Sequence, residues 1–151
     1  MMELLNDTAD RSIGVSRLLN APVEVVWMAW TQPEAIAQWW GPDGFRSTIH
    51  SMNLEPGGEW RLTMQGPDGK NYANRSEFME IEPLQKIVFQ HFNPHYLSTI
   101  IFEAQKTKTL LNWTMLFEST ELFETVVKVF KADEGLSQNV SKLEKYLQLQ
   151  L

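Results

Sequence analysis

The sequence contains no cysteine, which excludes a disulfide framework, thiolate catalysis and any cysteine-ligated metal, and fits a reducing cytoplasm. It has no basic excess: 13 Lys and Arg against 19 Asp and Glu leave a formal charge of −6, so a grip on nucleic acid is not expected. No apolar run reaches the roughly 18–20 residues of a membrane-spanning helix. The opening stretch, MMELLNDTADR, lacks a basic segment followed by an apolar one, so no signal peptide is expected and the reading is cytoplasmic. Nor does any linker, charge block or low-complexity run divide the chain. Its 151 residues suit a single domain spanning 1–151, with 1–10 a loose leading segment. What is abundant is aromatic: six Trp and eight Phe.

Periodicity sorts these residues into elements. Residues 11–19 set Ile13, Val15 and Arg17 against Ser12, Gly14 and Ser16, which predicts a first strand. Asn20-Ala21-Pro22 then reads as a helix start, with Asn20 as cap and Glu24 complementing the helix dipole. Val23, Val26, Trp27 and Trp30 follow at helical spacing. A second start at Thr31-Gln32-Pro33-Glu34 brings Ile36, Trp39 and Trp40, and stops at Gly41-Pro42. From 45 to 118 the period becomes two, which predicts strands at 45–54, 60–65, 71–81, 86–92, 97–104 and 109–117. Gly-Pro-Asp-Gly occurs at 41–44 and 66–69 as shared turn chemistry rather than as a repeat. After 119 the helical period returns, with Phe123, Val126, Val127 and Phe130 on one stripe. A longer stripe follows, of Leu136, Val140, Leu143 and Leu147. The expected architecture is α+β, an antiparallel sheet of about six to seven strands with a long terminal helix across one face.

Several motifs carry a family resemblance. Ala21-Pro22, Val26-Trp27, Ala29-Trp30-Thr31 and Pro33-Glu34 lead into Trp39-Trp40-Gly41-Pro42 and Gly44-Phe45. Pro56-Gly57-Gly58-x-Trp60-Arg61, Gly66-Pro67-Asp68-Gly69, Glu80-Ile81-x-Pro83 and Glu134-Gly135-Leu136-x-Gln138-x-Val140-x-x-Leu143 continue the series. Together they resemble bacterial proteins related to the activator of the ninety-kilodalton heat-shock-protein ATPase. These form a branch of the helix-grip superfamily that also includes START domains, polyketide cyclases and birch-pollen allergens. The resemblance implies a curved sheet gripping its long C-terminal helix on the concave face, with an apolar cavity between them. The chain departs from the family pattern at Asn53 and Glu55, where an acidic then a basic residue is common, and at His91, where an aromatic is common.

On this reading the inward set comprises Trp60, Leu62, Met64, Tyr72, Ser76, Phe78, Phe89, His91, Ile100, Phe102, Leu111, Trp113 and Met115. The terminal helix adds Leu136, Val140 and Leu143. Such a set lines a pocket for a small hydrophobic molecule or simply fills a core. Trp27, Trp30, Trp39 and Trp40 are expected to pack the short helices against the sheet end, leaving Trp60 and Trp113 as the tryptophans that bear on function.

Catalytic signals are sparse. His50, His91 and His95 stand at no metal-binding spacing, and no phosphate or dinucleotide loop is present, so neither metal nor cofactor is expected. His91, with Tyr72, is the weak acid/base candidate. Glu77 and Glu80 are expected on opposite faces of their strand. Lys128, Lys131, Lys142 and Lys145 read as solvated. The first functional reading is therefore a binding module for a small hydrophobic molecule. The second is a cyclase- or lyase-type enzyme using His91 and Tyr72. The third and weakest is a chaperone-associated interaction protein, since the resemblance places the activator's function partly on a further N-terminal domain for which 151 residues leave no room. The sheet edges and terminal helix offer surfaces for a homodimer.

Overall fold

The computed structural model describes residues 10–150; the expected loose segment lies, apart from Asp10, outside the described residues. In chain order the elements are β1 (Ser12–Leu19), α1 (Val23–Thr31), α2 (Pro33–Ile36), β2 (Arg46–Met52), β3 (Glu59–Gln65) and β4 (Asn71–Glu82). β5 (Lys86–Phe92), β6 (Tyr96–Gln105), β7 (Lys108–Phe117), α3 (Thr120–Glu124), a π-helical turn (Thr125–Val129) and α4 (Ala132–Gln150) complete the chain. The seven strands form one antiparallel sheet in the order β1-β7-β6-β5-β4-β3-β2. This is the expected α+β helix-grip architecture. Among the described residues, no helix is long and apolar enough to cross a membrane.

Alternation makes one sheet face apolar, and α4 covers it. Leu136, Val140, Leu143 and Leu147 join one buried cluster with Trp60, Phe78, Phe89, Ile100, Leu111 and Trp113. Each large side chain so buried contributes about 1.5–3 kcal/mol through surface removed from water. At the edge of the sheet, Arg17 of β1 pairs with Glu144 of α4. The Trp-rich helices close one end of this core, as expected. Trp30 and Trp39 are almost fully buried, their rings 4.9 Å apart and close to perpendicular. Trp39 Nε1 donates to the Ala29 carbonyl at 3.0 Å.

Four expectations are corrected by backbone detail. Asn20 does not cap α1: Pro22 is the N-cap residue, its carbonyl accepts from Val25 and Val26, and no side chain caps this helix start. Glu77 and Glu80 share a face instead of opposing. A β-bulge between Phe78 and Glu80 inserts Met79, so Glu77 sits opposite Gln90 and Glu80 opposite Val88, both on the outer side. Phe130 leaves its stripe because the π turn widens the helix; its N–H reaches Thr125, and the ring is 72% exposed. Lys142 is not simply solvated, since its Nζ donates to the carbonyls of Pro42 and Phe45 at 3.3 and 3.2 Å.

The Pro56-Gly57-Gly58 turn is stitched to the bulge. Gly57 N–H donates to the Phe78 carbonyl, and Phe78 N–H donates to the Gly58 carbonyl. Gly58 approaches the preceding strand end so closely that a Cβ there would lie 1.9 Å from the Asn53 carbonyl oxygen. Only glycine fits.

Candidate functional site

Between the N-terminal half of α4 and the β3, β4, β5 and β7 strands lies a cleft of about 170 Å³. Strand alternation brings Trp60, Leu62 and Met64 from β3, Ser76 from β4, His91 from β5, and Trp113 and Met115 from β7 to its walls. Leu136 comes from α4. The other residues expected there do not reach it. Phe78, Phe89, Ile100, Phe102, Leu111, Val140 and Leu143 are buried deeper in the core. Tyr72 is 46% exposed, because it stands near the start of β4, by the β3–β4 hairpin; its ring lies 6.1 Å from that of Phe45. The His91–Tyr72 pair is therefore not assembled.

Residues not in the expected set complete the walls. The loop after α2 supplies Trp40, Gly41 and Pro42, and α4 supplies Ala132, Gly135 and Asn139. Asn74 and Tyr96 come from β4 and β6. Trp40 is the main surprise among them. Its ring lies 4.9 Å from Trp60 and 5.3 Å from Trp113, so it seals the floor of the cleft against the deeper core.

The loop that carries Trp40 is clasped by α4. Besides the two Lys142 hydrogen bonds, the Asp43 N–H donates to Gln138 Oε1 at 3.1 Å. Burial lowers the Lys142 pKa, partly opposed by the nearby Asp43 carboxylate. Gly135 faces this loop across an ordinary contact distance: a Cβ there would sit 3.6 Å from Pro42.

His91 is held on both sides. Nδ1 lies 2.8 Å from the Pro94 carbonyl and Nε2 lies 2.7 Å from Asn74 Oδ1. An imidazolium donates to both oxygens; a neutral ring donating to Pro94 needs the Asn74 amide turned so that its N–H meets Nε2. Burial lowers the His91 pKa, the Pro94 hydrogen bond raises it in part, and nearby His95 lowers it further. Its ring stacks on Tyr96 at 4.5 Å and 11°, and burial pushes the Tyr96 hydroxyl pKa up. With both nitrogens occupied, His91 is a fixed wall rather than a free base.

Two residues of the walls each carry a buried polar atom with no hydrogen-bond partner among the described residues, Trp60 Nε1 and Asn139 Oδ1. Among the described residues, no Asp, Glu, Lys or Arg lines the cleft. On the opposite sheet face, a wider groove of about 510 Å³ is bordered by His50, Arg61 and Arg75. Those side chains are exposed, which makes it a surface depression, not an enclosed site. Among the described residues, no group of three or more His, Asp or Glu side chains is placed to hold a metal ion.

Residues 20–148 match the family described as activator of Hsp90 ATPase homolog 1-like protein. The chain belongs to this family. Among solved structures, a protein of Arthrobacter aurescens superposes with a TM-score of 0.88 at 22% identity, over 94% of this chain and 88% of that one. A protein of Nitrosomonas europaea gives 0.85 at 22% identity, over 94% and 97%. An AHSA1-like protein of Aeromonas hydrophila gives 0.76 at 18% identity, over 91% and 92%. At these identities the likeness is one of fold. No curated protein matches the sequence significantly. Within the family's helix-grip frame, Asn74, Tyr96 and Asn139 had a sequence signal. The first two continue the inward alternation of their strands, and Asn139 falls three residues after Leu136 on the buried stripe of α4.

Proposed function

We propose that this protein binds a small hydrophobic molecule in the cleft between α4 and the sheet. One observation carries the reading: the cleft is walled by Trp40, Trp60, Trp113, Leu62, Met64, Met115 and Leu136, with a few polar groups among them. Apolar walls with sparse polar points are how small-molecule sites gain both affinity and orientation. The Trp40 floor limits the occupant's size, so the cleft suits a compact molecule and not a long lipid chain.

A thermal-shift screen of small hydrophobic compounds tests this, because a ligand that binds only the native state raises Tm. Hits should lose their effect in Met115→Trp, which fills the cleft from β7. Hits that shift both proteins equally would place binding elsewhere, and a screen without hits would remove the reading.

A further inference from the structure

We propose that the cleft selects a neutral, single-ring molecule bearing a hydroxyl or comparable donor, and that Asn139 reads that donor. This rests on the binding reading above and narrows it to a ligand class.

Size sets the first limit. An enclosed cavity of about 150 Å³ accommodates benzene, and this cleft, open on one side, offers about 170 Å³, so one ring fills its walled part. Charge sets the second. With no Asp, Glu, Lys or Arg in the walls among the described residues, a carboxylate or ammonium would leave water without gaining a counter-charge, which strongly disfavours entry.

The third limit comes from Asn139. It is only 7% exposed, on the inward stripe of α4, and its Oδ1 has no hydrogen-bond partner among the described residues. An unpaired buried acceptor destabilises the fold, whereas leucine or alanine at the same point of the stripe would not. The terminal torsion of asparagine is soft, so its carboxamide can turn toward a ligand at little cost. Across the cleft, on β3, Trp60 Nε1 is a second unpartnered buried group, this time a donor. A ligand hydroxyl supplies the donor that the turned Asn139 carboxamide lacks.

The test uses three ligands of matched size, namely benzyl alcohol, toluene and benzoate, titrated into the full chain by calorimetry up to their solubility. Benzyl alcohol is expected to bind about five- to tenfold more tightly than toluene, the gain of one hydrogen bond to a buried acceptor. Benzoate is expected not to bind. In Asn139→Leu the preference should vanish, with toluene binding retained; Asn139→Ala serves the same comparison if the leucine variant does not fold. Toluene binding as tightly as benzyl alcohol, a preference that survives both variants, or benzoate binding would each overturn the donor inference while leaving a ligand cleft. If none of the three binds, both this inference and the ligand-binding reading fall.

Discussion

The ring of Trp40 lies over that of Trp113, centres 5.3 Å apart and planes 23° from parallel. A residue from the short-helix end of the chain thereby becomes the floor of a cleft whose other walls are strands and α4. The same ring also touches the Trp30, Trp39, Trp60 and Phe89 neighbourhood. Packing and site construction meet at this one side chain.

Trp40→Ala should therefore destabilise the fold by about 3–5 kcal/mol, the usual cost of deleting a large buried aromatic. It should also deepen the cleft. Urea denaturation reads the first effect, and a loss below about 1 kcal/mol would mean that Trp40 does not anchor this core.

Gly58→Ala should cost about 2–4 kcal/mol, in line with substitutions that force backbone strain. The new Cβ would fall 1.9 Å from the Asn53 carbonyl oxygen, and the turn cannot yield without losing its hydrogen bonds to Phe78. Gly57→Ala makes a useful comparison, because nothing lies near its Cβ position and only its positive φ of 84° opposes the change. Equal stabilities for wild type and Gly58→Ala would contradict the close approach.

Gly135→Ala points the other way. Its Cβ meets Pro42 at an ordinary 3.6 Å, and replacing a helical glycine should raise stability by about 0.5–1 kcal/mol. The same methyl narrows the cleft beside Pro42. A higher Tm together with weaker benzyl alcohol binding is expected, and unchanged binding would show that ligands do not pass or rest there.

The pH dependence follows from His91. Burial lowers its native pKa below the ordinary 6.5, so between those two values the unfolded chain holds the extra proton. Stability attributable to neutral His91 is thus complete above about pH 6.5 and is lost as pH falls toward the lower native value. Replacing it in His91→Phe should flatten that part of the profile. The relevant measurement is the difference between wild type and variant in urea midpoints at pH 7.5 and pH 5.5. A wild type that gained stability relative to the variant on acidification would reverse the sign.

Lys142→Met should loosen the loop that bears Trp40. Removing the two donors to Pro42 and Phe45 is expected to cost about 1–2 kcal/mol and to speed amide exchange at Gly41, Gly44 and Phe45. Exchange at β6 and β7 amides should hold steady, which separates a local clasp from general destabilisation.

Much of this fold was legible in the residues. The strand at 86–92 is observed with those bounds, because its alternation is uninterrupted and Asn93-Pro94 closes it. The bulge at Phe78 was not legible. Its signal is one extra residue in a twelve-residue strand whose neighbours still alternate, and the Gly57 N–H donor and Gly58 carbonyl acceptor that hold it belong to another part of the chain. Among the site residues, strand alternation placed Trp60, Leu62, His91 and Trp113 correctly but could not see depth. Phe89 and Ile100 share the inward face, yet the tryptophan floor and α4 enclose them. Asn139 and Asn74 escape a reading by pattern because polar residues on an apolar stripe look like interruptions, although in this cleft they are among its polar points.

Five of the six indoles, those of Trp30, Trp39, Trp40, Trp60 and Trp113, form an unbroken chain with ring-centre steps of 4.9–5.8 Å. At such spacing their excited states do not act singly. Light absorbed by any one is shared among the group, so the near-ultraviolet spectrum belongs to the array. Two members of the array, Trp40 and Trp113, are stacked and border the cleft. An event at the cleft thus touches two rings directly and the ultraviolet emission of their neighbours through them.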